Sequence, residues 1–280
     1  MQNCAQILRL SAWAPGLEGP DAWSAAARLP GFGLSGSGFA APDALEPKAP
    51  AALVPPMLRR RLPPLGRALA EVLAPLAAAA PDAPWVYASR WGDAGLAVEL
   101  LEATAESEPL SPAKFAVSVH NGPASLLSIA LGHRGNLTAL AGGPFSAEAA
   151  FTSAVGLLTE HEHVILTVAE AKPPLAFDAP GVTHAWGLLL GREEETTDPA
   201  EWRRRRARGA FCALTTRALT RDEAPDPRLE MTAGEPAGLE VFRWLLADEA
   251  PALTHFDRHA AWVWGKDRPA LGGARAVGVD

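Results

Sequence analysis

From Leu110 to Phe151 the chain reads LSPAKFAVSVHNGPASLLSIALGHRGNLTALAGGPFSAEAAF, and this stretch restricts the fold more than any other. Ser111 and Pro112 turn the chain in. From about Asn121 to Leu131, Leu126, Leu127, Ile129, Ala130 and Leu131 recur at mixed spacing, so the helix expected there is apolar nearly all round. A helix of that kind has to be buried, in a core or against a partner. Gly132-His133-Arg134-Gly135 ends it, glycine supplying the left-handed residue at the C-terminus. Leu137 to Ala141 then reads as a short apolar strand, and Gly142-Gly143-Pro144 turns into a second helix beginning near Ser146.

The flanking segments supply the layers for such a unit. Gln6 to Trp13 is a plausible first strand ended by Ala14-Pro15-Gly16. Between Pro55 and Ala80, Leu65, Leu69, Val72, Leu73 and Leu76 fall on one helical face, preceded by Arg59, Arg60 and Arg61. Trp85 to Ser89 is a short buried strand followed by Gly92 and Gly95. Ser146 to Glu160 carries Ala150, Phe151, Ala154, Leu157 and Leu158 on one side, while Val164 to Val168 and His184 to Leu190 read as buried strands. A helix between apolar strands is the pattern of an α/β layer structure. Beyond Gly191 the chain becomes charge-dense, with a strand expected at Phe211 to Leu219 and a helix at Gly238 to Ala247.

Composition narrows the function classes. The 280 residues allow one large domain or two small ones, and a net charge of −7 argues against general nucleic-acid binding. Two cysteines are too few for a disulfide framework, which suits a reducing cytoplasm. No signal-peptide pattern opens the sequence, and no apolar run reaches membrane-spanning length.

The order of SP, an F and an S, a small-residue helix, G-x-R-G, a short strand and a small-residue turn resembles the N-terminal half of the β-ketoacyl synthases. The arginine-marked helix and the Trp85 strand with its glycine loop extend the likeness, which covers Trp85 to Leu190 well and the N-terminal third loosely. The resemblance implies a thiolase-like half, a layered α-β-α structure, over residues 1–190, with residues 191–280 a divergent C-terminal extension packing on it. In that family the turn after the short strand holds a nucleophilic cysteine at a helix N-terminus, where helix dipole and amides lower the thiol pKa. An ungapped count from Gly132-His133-Arg134-Gly135 puts that position on or beside Pro144, and neither Gly143, Pro144 nor Phe145 is a nucleophile. Cys4 and Cys212 are far away in sequence. The family's histidine-glycine-threonine motif is missing, and too little chain follows Leu190 for a second thiolase half.

Other chemistry reads weakly. The glycine run Gly31 to Phe39 lacks the Lys-Ser/Thr ending of a phosphate loop. Gly33-Leu34-Ser35-Gly36-Ser37 misses the last glycine of a hydrolase elbow. His161/His163 and His255/His259 have metal-ligand spacing, but the second pair lacks the HExxH glutamate, and both pairs read as surface or boundary histidines. No metal and no cofactor is expected. Asn121 reads as an N-cap and His120 as the filling of a strand end, with a cross-subunit hydrogen bond the alternative for both.

The expectation is a non-catalytic, chain-length-factor-like subunit in the cytoplasm, without activity alone. It would pair with a complete ketosynthase and shape its acyl tunnel in fatty acid or polyketide synthesis of the aryl polyene type. Two condensing-enzyme subunits pair by extending their sheets through this region. The resemblance therefore sets Ser89, Lys114, Phe115, Ser118, His120, Asn121 and Leu126 at the interface or tunnel wall. The basic run Arg203, Arg204, Arg205 and Arg206 would dock an acidic acyl carrier protein, its rim charges chiefly steering association. The alternatives are a scaffold that only docks carrier proteins and an unrecognised hydrolase. An exposed apolar interface helix also predicts association or aggregation when the chain is alone.

Overall fold

Trp186 and Leu188 on one strand, and Leu188's neighbours Gly187 and Leu189 facing the other way, mark the centre of this molecule: every residue from His184 to Gly191 is buried. Such strands are covered on both faces, which is why they read as continuous apolar runs rather than alternating ones. The computed structural model describes residues 3–18, 22–25, 48–174, 177, 181–192, 210–224, 237–247 and 251–266.

Nine strands form one mixed sheet. They are β1 (Asn3–Ala14), β2 (Leu17–Glu18), β3 (Trp85–Ala88), β4 (Leu137–Leu140), β5 (His163–Glu170), β6 (His184–Gly191), β7 (Ala210–Ala218), β8 (Ala252–Phe256) and β9 (Ala260–Lys266). Their order is β4-β3-β5-β6-β1-β7-β9-β8, with β2 hairpinned onto β1. β3 runs parallel to β4 and β5, and the other pairings are antiparallel. Strands β7, β8 and β9 come from the region beyond residue 190 and continue the sheet across β1.

The described helices are α1 (Pro56–Arg59), α2 (Pro64–Ala79), α3 (Ala94–Ala105), α4 (Pro112–Ser118), α5 (Gly122–Ala130), α6 (Ser146–Leu157) and α7 (Ala237–Leu246). Pro64, Pro112 and Pro123 open α2, α4 and α5, where a missing N–H costs nothing. Asp93 caps α3 by accepting from the Leu96 amide at 3.1 Å, and Ser111 caps α4 from Lys114. At the end of α5, Gly132 has φ +68°, with His133 N–H bonded to Ser128 O and Gly132 N–H to Ile129 O. This is the double closure of a Schellman motif, and it satisfies two carbonyls the helix would otherwise leave open.

Two apolar layers result. α2 and α5 cover one sheet face with Leu65, Leu69, Val72, Leu73, Leu126 and Leu127 over Trp85, Tyr87, Ile165 and Leu189. α6 and α7 cover the other with Phe151, Ala154, Phe242 and Leu245 over Val86, Leu166, Trp186 and Leu188. The alternation of side chains along each strand divides the sheet residues between these two layers. Gly187 is needed where α2 comes closest: a Cβ there would stand 2.8 Å from Val72 Cγ1 and 2.9 Å from Leu166 O.

Two expectations need correction. The segment before His120 is helix α4 rather than a strand, since Pro112 and the Ser111 cap start a helix whose short length hid its period. The α5 helix is not buried all round: Leu126 and Leu127 enter the core while Ile129 is 70% exposed. Among the described residues no helix is long and apolar enough to cross a membrane.

Candidate functional site

The parallel strands β3, β4 and β5 share one carboxyl end, the end where open α/β sheets form their sites. Ser89 follows β3, the turn Gly142–Phe145 follows β4, and Glu170 closes β5. Ser89 N–H donates to Leu140 O at 3.3 Å and Ser89 Oγ donates to Glu170 Oε2 at 3.0 Å, which joins the three strand ends.

The turn after β4 has the shape the family resemblance implies. Gly143, at φ +58°, leads a single 3-10 turn, Gly143–Phe145, directly into α6. Pro144 occupies its middle and offers no nucleophile. The nearest hydroxyl, on Ser146, is buried and committed: it accepts from Gly142 N–H at 3.1 Å and donates to Gly143 O at 2.7 Å. The turn Gly143–Phe145 therefore offers no side-chain nucleophile, and the hydroxyl beside it is spent on the turn itself.

Behind this turn lies a charged cluster. His255 on β8 is 1% exposed, and its Nδ1 donates to Glu148 Oε1 at 2.6 Å. Its Nε2 lies 3.5 Å from Glu240 Oε2 on α7. Trp264 Nε1 donates to the same Glu148 oxygen at 3.0 Å, and the Phe145 ring stands edge-on to His255 at 6.5 Å. Burial pulls the His255 pKa down, but hydrogen bonds and charges from Glu148 and Glu240 outweigh it and hold the pKa at about 9. The expectation of a surface or boundary histidine is therefore wrong for His255. The His255/His259 spacing belongs to a β-hairpin, not a helix, and the Asp257 carboxylate organises its turn by accepting from His259 N–H, Ala260 N–H and Trp262 Nε1. His161 and His163 sit at the exposed entry to β5. Among the described residues, no group of three or more His, Cys, Asp or Glu side chains is arranged to hold a metal ion.

A second cluster surrounds Ser89. Glu170 accepts from Ser89 Oγ and, at 2.5 Å, from Arg90 N–H, while Ser89 Oγ accepts from Gly92 N–H at 2.9 Å. His120 Nε2 donates to the Ser89 carbonyl at 2.9 Å, and its ring lies 5.6 Å from Tyr87. Burial raises the Glu170 pKa to about 7, against the pull of the Arg90 amide, the Ser89 hydroxyl and the Arg90 charge. Burial and the charge of Glu170 push the Tyr87 hydroxyl upward.

The structure separates the residues that the resemblance grouped. Ser89 is fully buried inside this chain with its hydroxyl engaged, and Leu126 belongs to the core under α2. His120 is half-buried and bonds within the chain. Asn121 stands at the N-cap position of α5, but its side chain caps nothing; its Nδ2 donates to Ser125 Oγ at 3.2 Å. Lys114 is on the outer surface, paired with Glu99, and Ser118 Oγ donates to Phe115 O. Phe115 is 60% exposed. Arg203, Arg204, Arg205 and Arg206 lie outside the described residues.

A cavity of about 750 Å³ opens at the other end of β3, between the last turn of α2 and the Leu131–Gly135 loop. His133 stacks on Trp85 there at 3.9 Å. None of the expected tunnel residues lines it. The residues the sequence did not bring forward are Glu148 and Glu170. The signal was present in each: a lone carboxylate inside an apolar run, SAEAAF and VILTVAE. Such a group is either at a surface or tied into a buried network.

Comparison with known proteins agrees with this geometry. A search of curated proteins gave no match. Among solved structures, the chain is similar to the ketosynthase ApeO in complex with its chain length factor ApeC from Xenorhabdus doucetiae, at 21% identity and TM-score 0.71, over 93% of this chain and 98% of that one. It is also similar to the ishigamide ketosynthase/chain length factor, at 16% identity and TM-score 0.60, over 94% and 99% of the two chains. A third similarity is to AntDE:AntF, a type II polyketide synthase acyl-carrier protein in complex with its ketosynthase, at 11% identity and TM-score 0.57, over 94% and 99%. At these identities the likeness establishes a thiolase-like fold. The family model described as "Beta-ketoacyl synthase, N-terminal domain" matches residues 37–265, so the chain belongs to the β-ketoacyl synthase N-terminal domain family.

Proposed function

We propose that this chain is a non-catalytic, chain-length-factor-like subunit that pairs with a complete ketosynthase and shapes its acyl tunnel. The observation that carries the proposal is the turn Gly143–Phe145, where the family resemblance expects the cysteine: it holds Pro144 and no nucleophile, and the adjacent Ser146 hydroxyl is spent on the turn itself. A subunit with no nucleophile still contributes to condensation by presenting bulk to the end of a tunnel, because size selection needs only a wall.

The surface supports pairing. β4 is the last strand of the sheet and bonds only to β3 among the described residues, so one edge of its backbone is open. α5 packs against β4, and the α3–α5 segment exposes Leu101, Phe115, Val119 and Ile129. Open strand edges and exposed apolar side chains are liabilities in a lone subunit and assets at an interface. Two of the similar structures are described as a ketosynthase with its chain length factor. In this reading residues 1–190 form the ketosynthase-like half and residues 191–280 the extension packed on it, with Phe115 and its neighbours facing the partner. Arg203 to Arg206 dock the carrier protein, and the acyl chain is of the aryl polyene type.

Co-expression with a ketosynthase encoded beside it, followed by tag pull-down and size-exclusion chromatography, tests the pairing. A stoichiometric heterodimer is expected. A well-behaved protein that elutes without the ketosynthase would overturn it. Replacing Arg203 to Arg206 by serine separates the carrier-docking role: carrier binding lost with product length unchanged would favour a scaffold.

A further inference from the structure

Glu170 is a carboxylate at the buried end of β5, and the groups it holds all belong to one loop. That loop, residues 89–93, links β3 to α3. Glu170 accepts from Ser89 Oγ and from Arg90 N–H, and Ser89 Oγ in turn receives Gly92 N–H. The loop then ends in Asp93, the cap of α3. From the other side His120, between α4 and α5, donates to the Ser89 carbonyl and packs against Gly92, where a Cβ would stand 3.4 Å from its ring. The three helices that carry the exposed apolar residues are therefore referenced to one carboxyl group.

The surroundings are unusually open-ended for a core. The Tyr87 hydroxyl, Arg90 Nη2 and Asp93 Oδ2 are buried without a hydrogen-bond partner among the described residues. Buried polar atoms are nearly always satisfied, so groups left over call for a physical reason. The charge of Glu170 acts on Tyr87, and that of Arg90 acts on Glu170.

We propose that Glu170 is a positioning residue: it holds loop 89–93, and through it the α3–α5 face, with a strength set by whether its carboxyl carries a proton. The titratable and charged groups facing it are Tyr87 from β3, Arg90 and Asp93 from the loop, His120 from the α4–α5 junction, and His184, its cross-strand neighbour on β6. Burial lowers the His184 pKa to about 4, against the pull of its bond to Val182 O, so that ring stays neutral around pH 7. The Glu170 pKa is raised in the closed loop, so the closed loop binds the proton better than the open one. Closure is therefore fully supported below the ordinary carboxyl range and weakens as pH rises through about 7. The loop behaviour is a property of this chain alone; its effect on pairing rests on the function proposed above.

Hydrogen exchange of the full-length chain between pH 5.5 and 8, corrected for intrinsic rates, reads the loop directly. Opening returns Glu170 to its ordinary value, so protection of the Arg90 to Gly92 amides should fall by roughly 30-fold across that window, while β6 amides stay constant. In Glu170→Gln the profile should be flat. Unchanged wild-type loop protection over this range, or an undiminished slope in Glu170→Gln, would overturn the proposal. Should the variant fail to fold, the wild-type profile against the β6 reference still decides. Ketosynthase binding measured over the same pH range is the second readout. Absence of any binding counts against the pairing, whereas pH-independent binding beside a pH-dependent loop removes only the link between them.

Discussion

The buried pair His255 and Glu148, with the partly exposed Glu240 beside it, ties β8 to α6 and α7 next to the Gly143–Phe145 turn. Truncating one member of a buried pair leaves the other uncompensated, so Glu148→Ala should destabilise the fold by about 3–5 kcal/mol in denaturant unfolding. The pH dependence has a definite sign. The His255 pKa rises from its ordinary 6.5 to about 9 on folding, so its stabilisation is complete below 6.5 and is lost as pH climbs through 9. Glu170 adds a loss in the same direction between its ordinary 4.5 and about 7, and His184, lowered to about 4, opposes it below 6.5. The window from pH 7 to 9 is therefore left to His255, where unfolding free energy should drop by about 2–3 kcal/mol. The same titration of His255→Gln should show little slope there, and a full slope in that variant would assign the effect elsewhere. The lone carboxylates were visible in the sequence, but the contacts they make were not. A histidine four residues before another fits a helix face as well as a hairpin, and Glu148 is in contact with His255 only because 107 residues of chain return to it.

At the scale of elements the sequence was far more informative, because periodicity and end signals are local. β1, α2, β3, β4, α6, β5, β6, β7 and α7 all fall where apolar runs and their flanking Pro and Gly residues put them. The Gly132 stop is the clearest case. Alanine at φ +68° would strain the Schellman closure, so Gly132→Ala should cost about 1–2 kcal/mol. Gly187→Ala should cost a comparable 1–3 kcal/mol for a different reason, since its new methyl meets Val72 and the Leu166 carbonyl in a packed layer. Thermal unfolding of both variants checks this, and neutrality at Gly187 would mean that α2 slides easily over the sheet. The elements the sequence hid are short or mixed. α3 has Gly95 in its first turn and exposes Leu101, which blurs its apolar stripe. β8 and β9 alternate only partly, and the pairing of β9 with β7 is a long-range fact that no local pattern carries.

Among the described residues the sheet has an end strand on either side, β8 and β4, each bonded to a single neighbour. At one end β8 is the outer strand of a hairpin; at the other is the four-residue strand β4, and the α4–α5 segment before it leaves Phe115, Val119 and Ile129 at 60%, 45% and 70% exposure. The resemblance implied an interface along this segment, and its side chains divide between the interior and the surface. Of the residues it grouped, Ser89 and Leu126 are interior, Ser118 and His120 are half-buried, and Lys114, Phe115 and Asn121 stand at the surface. That distinction makes the interface testable without disturbing the fold. Exposed substitutions away from special features usually change stability by less than about 0.5 kcal/mol. Phe115→Asp and Ile129→Asp should therefore leave the melting temperature of the isolated chain nearly unchanged. At a desolvated contact, by contrast, a large apolar anchor contributes about 2 kcal/mol or more, and burying an unpaired carboxylate adds to the loss. Each change should weaken ketosynthase binding by at least about 30-fold in a titration at fixed pH. Leu126→Ala supplies the contrast: it lowers stability by about 2–5 kcal/mol through the cavity it leaves in the core, while affinity per folded molecule changes little. If the two aspartate variants bind as wild type does, the α4–α5 surface is not where the subunits meet, and the open edge of β4 has to be covered by something other than a sheet-to-sheet pairing flanked by these helices.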